Sequence, residues 1–147
     1  MTRGKKRIKH HVLLAIVTIS LLLTIYSSVP GKDAMYLWSM ATAYTSVALL
    51  GATLILGPLN ILRKKNNPVS YDLRRDIGIW CGLTGIAHVI FGIQVHMGNV
   101  WLYFFRTVDG IGSFKLRSDL FGTANFIGLL GGLILLMLLV LSNDLSM

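Results

Sequence analysis

Charge is scarce in this chain. Only 14% of its 147 residues are Asp, Glu, Lys or Arg, against about 25% in an ordinary soluble domain, so there is too little polar surface to coat a water-soluble globule. A single cysteine, Cys81, excludes an internal disulfide and leaves the redox compartment open. No pair of Cys or His residues stands at zinc-ligand spacing. There is no glycine-rich dinucleotide fingerprint, phosphate-binding loop or nucleophile elbow, and no solenoid repeat. What is abundant is apolar: 54% of the residues are hydrophobic, and the mean hydropathy is +0.66.

The net charge of +8 would suit a nucleic-acid binder, but its placement speaks against one. A nucleic-acid face spreads its basic residues over a folded polar surface; here the charges sit in short blocks that bracket long uncharged runs, as membrane anchors do. Those runs predict an all-α integral membrane bundle with transmembrane helices over Val12–Val29, Met35–Leu62, Ile77–Met97 and Phe121–Ser142. Each is at least 18 residues long, about 27 Å as a helix, which is enough to cross the hydrocarbon core. The basic head over residues 1–11 and the linker between the second and third spans each carry five Lys or Arg. The positive-inside rule therefore expects both ends of the chain, including the short tail over 143–147, in the cytoplasm of a bacterium whose inner membrane holds the bundle. A cleaved signal peptide is the rival account of the first span; its 18 uncharged, mostly apolar residues exceed the usual 7–15, and SSVPGKDA makes a poor cleavage site. No Asp or Glu falls inside the runs so drawn, which leaves a channel or transporter without a proton relay. The linker over residues 98–120 contains WLYFF; it reads either as an interfacial aromatic belt or as a lid over the outer end of the third span.

The third span is the informative one. With its lead-in, residues 72–96 read DLRRDIGIWCGLTGIAHVIFGIQVH, which places Gly78, Gly82, Gly85, Gly92, His88 and His96 within one arc of a helix, about 120° wide at 100° per residue. An imidazole turned to acyl chains would leave its polar nitrogens unpaired at a cost of several kcal/mol, so both rings are expected to face the bundle interior. Two readings of the arc stand. In one, the glycines are a packing seam like Ala41, Thr45, Ala48 and Ala52 in the second span and Gly128 and Gly132 in the fourth, and each histidine bonds a neighbour's carbonyl. In the other, the small residues make room for a flat macrocycle and a histidine reaches its iron. His10 and His11, in the basic head, read as solvated or interfacial.

The stretch NNPVSYDLRRDIGIWCGLTGIAHVIFG resembles the ferric-reductase-like transmembrane family: a basic pair, Arg74 and Arg75, a hydrophobic-Gly step at Gly78, and a histidine, His88, about ten residues on. The resemblance covers the second linker and third span well and the rest of the chain loosely. It implies haem b held between helices, with electrons arriving from a flavin or quinone donor and passing to a redox partner. His88 inherits the axial-ligand role, with Gly85 and Gly92 lining the macrocycle. Arg74 and Arg75 are expected either to meet propionates or flavin phosphates or to anchor the helix end. No catalytic acid, base or nucleophile is needed, because the cofactor carries the redox chemistry.

Two features depart from the family pattern. Family members with two haems space their histidines about four turns apart, whereas His88 and His96 are about two turns apart. His96 is therefore open to two roles, a second iron ligand at an outer site or a hydrogen-bond donor to a propionate. The family's following helix, with its partner histidine, also has no counterpart, and no histidine lies in the first, second or fourth span. The expectation is the front two-thirds of a reductase membrane domain, whose opposing haem ligand comes from a second chain or a second copy. The alternative is a cofactor-free membrane scaffold or a remnant of such a reductase.

Overall fold

The computed structural model describes residues 3–31, 33–63, 71–95, 100–107 and 114–141, with side chains from Ile8 in the first stretch and from Leu73 in the third. Four helices dominate: α1 (Arg3–Ser28), α2 (Ala34–Leu62), α3 (Tyr71–Val95) and α4 (Leu120–Leu141). Each contains a segment long and apolar enough to cross a bilayer, and the protein is a multi-pass membrane protein. Among the described residues between α3 and α4 are a 3₁₀ turn over Val100–Tyr103 and two antiparallel paired strands that form a hairpin, β1 (Phe105–Thr107) and β2 (Phe114–Leu116).

The helices begin where backbone donors find acceptors. Asp33 caps α2, its carboxylate accepting from the N–H groups of Met35 and Tyr36 at 3.3 Å each. Asp119 caps α4, accepting from the Gly122 N–H at 2.8 Å. α1 runs unbroken from the basic head into the span, so the head is the first turns of a helix rather than a separate segment. Hydropathy registers only the apolar part of such an element. α3 likewise starts six residues before its uncharged run and carries Arg74, Arg75 and Asp76 in its first turns. α2 passes through Pro58 without stopping. The predicted ends at Met97 and Ser142 and the 143–147 tail lie outside the described residues.

Packing centres on the antiparallel pair α2 and α3, with α1 against both and α4 chiefly against α3 and the 3₁₀ turn. Leu14, Leu49, Ile77 and Cys81 form the buried apolar cluster, flanked by Leu56, Leu73, Trp80 and Leu135. On α2 the buried face includes Leu37, Ser39, Ala41, Thr45, Ser46 and Leu49. The small-residue stripe expected on this helix is thus half right: Ala41 and Thr45 are fully buried, while Ala48 and Ala52 are exposed. The contact follows the serine side of α2, where hydroxyls meet α3, instead of the alanine side. Along α4 most leucines are exposed, Leu135 and Leu139 are half-buried against α3, and only Gly122 is fully buried; in a bilayer the exposed surface is matched by acyl chains.

Candidate functional site

Polar contacts between α2 and α3 build this part of the bundle. Near the middle of the bundle, Ser46 Oγ donates to the Cys81 carbonyl at 3.0 Å, and the Cys81 thiol donates to the Ser46 carbonyl at 3.4 Å. Seven residues away on each helix, His88 Nδ1 lies 2.9 Å from the Ser39 carbonyl oxygen and 3.3 Å from Ser39 Oγ. Opposite steps of seven are what antiparallel helices in register produce, since seven residues are about two turns. A carbonyl can only accept, so the proton sits on Nδ1 and, in the neutral ring, Nε2 keeps its lone pair. His88 is half-buried and turned toward α2, as expected of an imidazole that avoids lipid.

The glycine arc is occupied by side chains of the bundle. A Cβ at Gly82 would lie 3.2 Å from Leu139 Cδ1, and one at Gly85 would lie 3.1 Å from Leu135 Cδ1 and 3.2 Å from Ser46 Oγ. Gly92 faces Ser39 Oγ at 3.6 Å and the His88 ring at 4.0 Å, and Gly78 faces open space. Gly82 and Gly85 therefore admit the leucines of α4, as small residues at a helix contact do. A haem at this place meets a mixed fit. Nε2 of His88 is a suitable donor atom, oriented from behind by a carbonyl, but the notch at Gly82 and Gly85 is filled.

The remaining sequence-predicted residues do not gather here. Arg74 and Arg75 stand 14 and 13 residues before His88 on α3, about 20 Å along the axis. Arg74 is exposed, its guanidinium 3.7 Å from where a Gly57 Cβ would be. His96 lies outside the described residues. The loop between α3 and α4 does reach the end of α3: Tyr103 Oη donates to the carbonyls of Gly92 and Ile93 at 2.7 and 3.2 Å, covering acceptors of the last helical turn.

Sequence reasoning missed a second cluster at the opposite, basic end. Asp76 is fully buried, with His11 Nε2 at 3.4 Å and His10 Nδ1 at 3.7 Å from its carboxylate oxygens. It falls within the apolar segment Leu73–Val95, so the expectation of spans without an acid fails at this residue, and of the two readings of His10 and His11 their partial enclosure suits the interfacial one. The signal was a DLRRD string whose second Asp sits one residue before the uncharged run. A helix that starts earlier carries that Asp into the bundle, against α1. Among the described residues no group of three or more His, Cys, Asp or Glu is arranged to hold a metal ion.

Comparison with protein-family models, with curated proteins and with solved structures finds no match.

Proposed function

We propose that this multi-pass membrane protein is a haem b electron-transfer protein of the ferric-reductase-like type, working in a bacterial inner membrane. His88 supplies one axial ligand through Nε2, and a second chain or a second copy supplies the opposing one. The observation that carries this reading is the contact between His88 Nδ1 and the Ser39 carbonyl, 2.9 Å long, within a membrane helix. Imidazoles that ligate metals are held in this way, their second nitrogen bonded to a carbonyl or carboxylate that fixes tautomer and ring direction. Intramembrane histidines are costly and usually functional. A haem bound there would supply one-electron chemistry; the protein's share is ligation, burial and exclusion of water. A flavin or quinone donor and a separate redox partner accompany the reading, as does a ligand or propionate role for His96.

A second reading rests on a different observation. Leu135 and Leu139 close on Gly85 and Gly82, which is what a cofactor-free scaffold does with a glycine seam. In that case the His88–Ser39 contact is an interhelical tie, worth about 0.6–2 kcal/mol in a membrane.

A reduced-minus-oxidised absorption spectrum of the purified protein separates the two. The haem reading expects a b-type band that is lost in His88→Ala while helix content is kept. A colourless wild type, or a band indifferent to His88→Ala, removes it and leaves the scaffold. The scaffold further expects His88→Leu to fold and insert normally.

A further inference from the structure

The hairpin between α3 and α4 has two faces of opposite character. Cross-strand partners project to the same side of a sheet. Phe105 pairs with Leu116 and Thr107 with Phe114, so one face is largely apolar; Arg106 pairs with Lys115 on the other. Two cations placed directly opposite one another destabilise a hairpin unless a negative charge lies between them. Asp119 meets Arg106 at 3.3 Å, but it is already bonded to Arg117 Nε at 2.9 Å and to the first turn of α4. Lys115 has no ion-pair partner among the described residues. Arg106, Lys115, Arg117, Ser118 and Asp119, with Leu116, line an open cleft of about 250 Å³. Among the described residues, three cations against one carboxylate leave that cleft positive.

The apolar face decides what kind of anion belongs there. Phe114 is 60% exposed, Leu116 57% and the adjacent Trp101 63%, and Trp101 packs on Phe105 with ring centroids 5.9 Å apart. The hairpin is rooted at the ends of two membrane helices, through Tyr103 on α3 and Asp119 on α4, so it sits at headgroup depth. Aromatic side chains favour that depth. A soluble anion would satisfy only the basic face and leave Phe114, Leu116 and Trp101 in water. A phospholipid offers acyl chains to one face and a phosphate to the other.

We infer that the hairpin is a binding site for the phosphate of an anionic phospholipid, held by Arg106 and Lys115 with the apolar face in the interface. This rests on the hairpin alone and stands whether or not His88 binds haem.

The test uses Trp101 as a local reporter. The full chain carries three tryptophans, and W38F/W80F leaves Trp101 as the only one; circular dichroism checks that the helices persist. The protein is reconstituted in vesicles containing brominated phosphatidylglycerol or brominated phosphatidylcholine with identical acyl chains, and quenching is compared. The expected result is preferential quenching by phosphatidylglycerol. R106Q/K115Q should reduce that preference by about five- to thirty-fold, since each basic residue near an anionic surface contributes about 1 kcal/mol, or a factor of about five. Equal quenching by the two lipids in the starting protein, or a preference unchanged in R106Q/K115Q, overturns the assignment. Equal quenching by the two lipids together with a Trp101 emission change on titrating inorganic phosphate identifies a soluble anion as the ligand and overturns the lipid source. Because the reporter lies at the hairpin, lipid drawn to the basic residues of the chain's other end does not register.

Discussion

Gly122→Ala isolates the junction between the hairpin and α4. Gly122 is the third residue of α4, and its N–H donates to the Asp119 carboxylate. A Cβ built there would sit against the Arg117 backbone oxygen, well inside van der Waals contact, and at 2.7 and 2.8 Å from Arg117 Cβ and Cγ. The side chain could swing away, but the carbonyl cannot move without dragging the chain that carries Arg117. Arg117 also bonds Asp119 and the Leu102 carbonyl, and lies over the Phe121 ring at 4.6 Å. Overpacking of this kind costs about 1–3 kcal/mol, and the displaced turn would loosen the cap as well. The same substitution farther along α4 has the opposite sign. A Cβ at Gly128 or Gly131 meets nothing within 4 Å, so Gly128→Ala and Gly131→Ala should stabilise the helix by about 0.5–1 kcal/mol through backbone entropy and propensity. Equilibrium unfolding of the three variants in mixed detergent micelles, followed by circular dichroism, measures the contrast. If Gly122→Ala changes stability by less than about 0.5 kcal/mol, or Gly128→Ala costs as much as Gly122→Ala, the close approach assigned to this turn is wrong.

Two further outcomes are expected. Replacing Asp76 by Ala removes the buried carboxylate that His10 and His11 approach; stability should fall by about 1–3 kcal/mol, and amide exchange over residues 8–14 should rise, so unchanged exchange there would show that the contact does not hold the start of α1. Asp119 titrates in the opposite end of the molecule. The Gly122 N–H, then the Arg117 guanidinium, hold its carboxyl below the usual carboxylate range. A lowered folded-state pKa contributes stability that is fully present above about pH 4 and is lost as pH falls through the folded value. The attachment of the hairpin, read by Trp101 emission, should therefore be flat from neutral pH down to about 4 and weaken only below it. A transition near pH 6 would assign the effect to another group.

The four crossings were legible because they depend on bulk solvation. An uncharged run of this length has no favourable place but lipid, and once in lipid its backbone must pair with itself as a helix. The direction of His88 was legible for the same reason, since one unpaired imidazole costs more than the surrounding packing can offset. The seven-residue step shared by Ser39 and Ser46 on α2 and by Cys81 and His88 on α3 was also present in the sequence, though only the pairing of the two helices gives it meaning. Asp76 escaped because hydropathy ends a span at the first charge, while a helix ends only where its hydrogen bonds do.

Sequence alone determined the solvent of this protein, the number of its crossings and the polar ring in the third of them, all properties of one segment at a time. Tertiary structure decided which neighbour each segment meets: that α4 lays Leu135 and Leu139 into the notches at Gly85 and Gly82, that α1 brings two histidines to Asp76, and that a short loop folds into a hairpin with cations on one face and aromatics on the other. In a bilayer, leucine is as much at home against lipid as against another helix, so hydrophobicity cannot choose between those neighbours. Shape and a few hydrogen bonds make that choice, and both exist only once the helices are side by side.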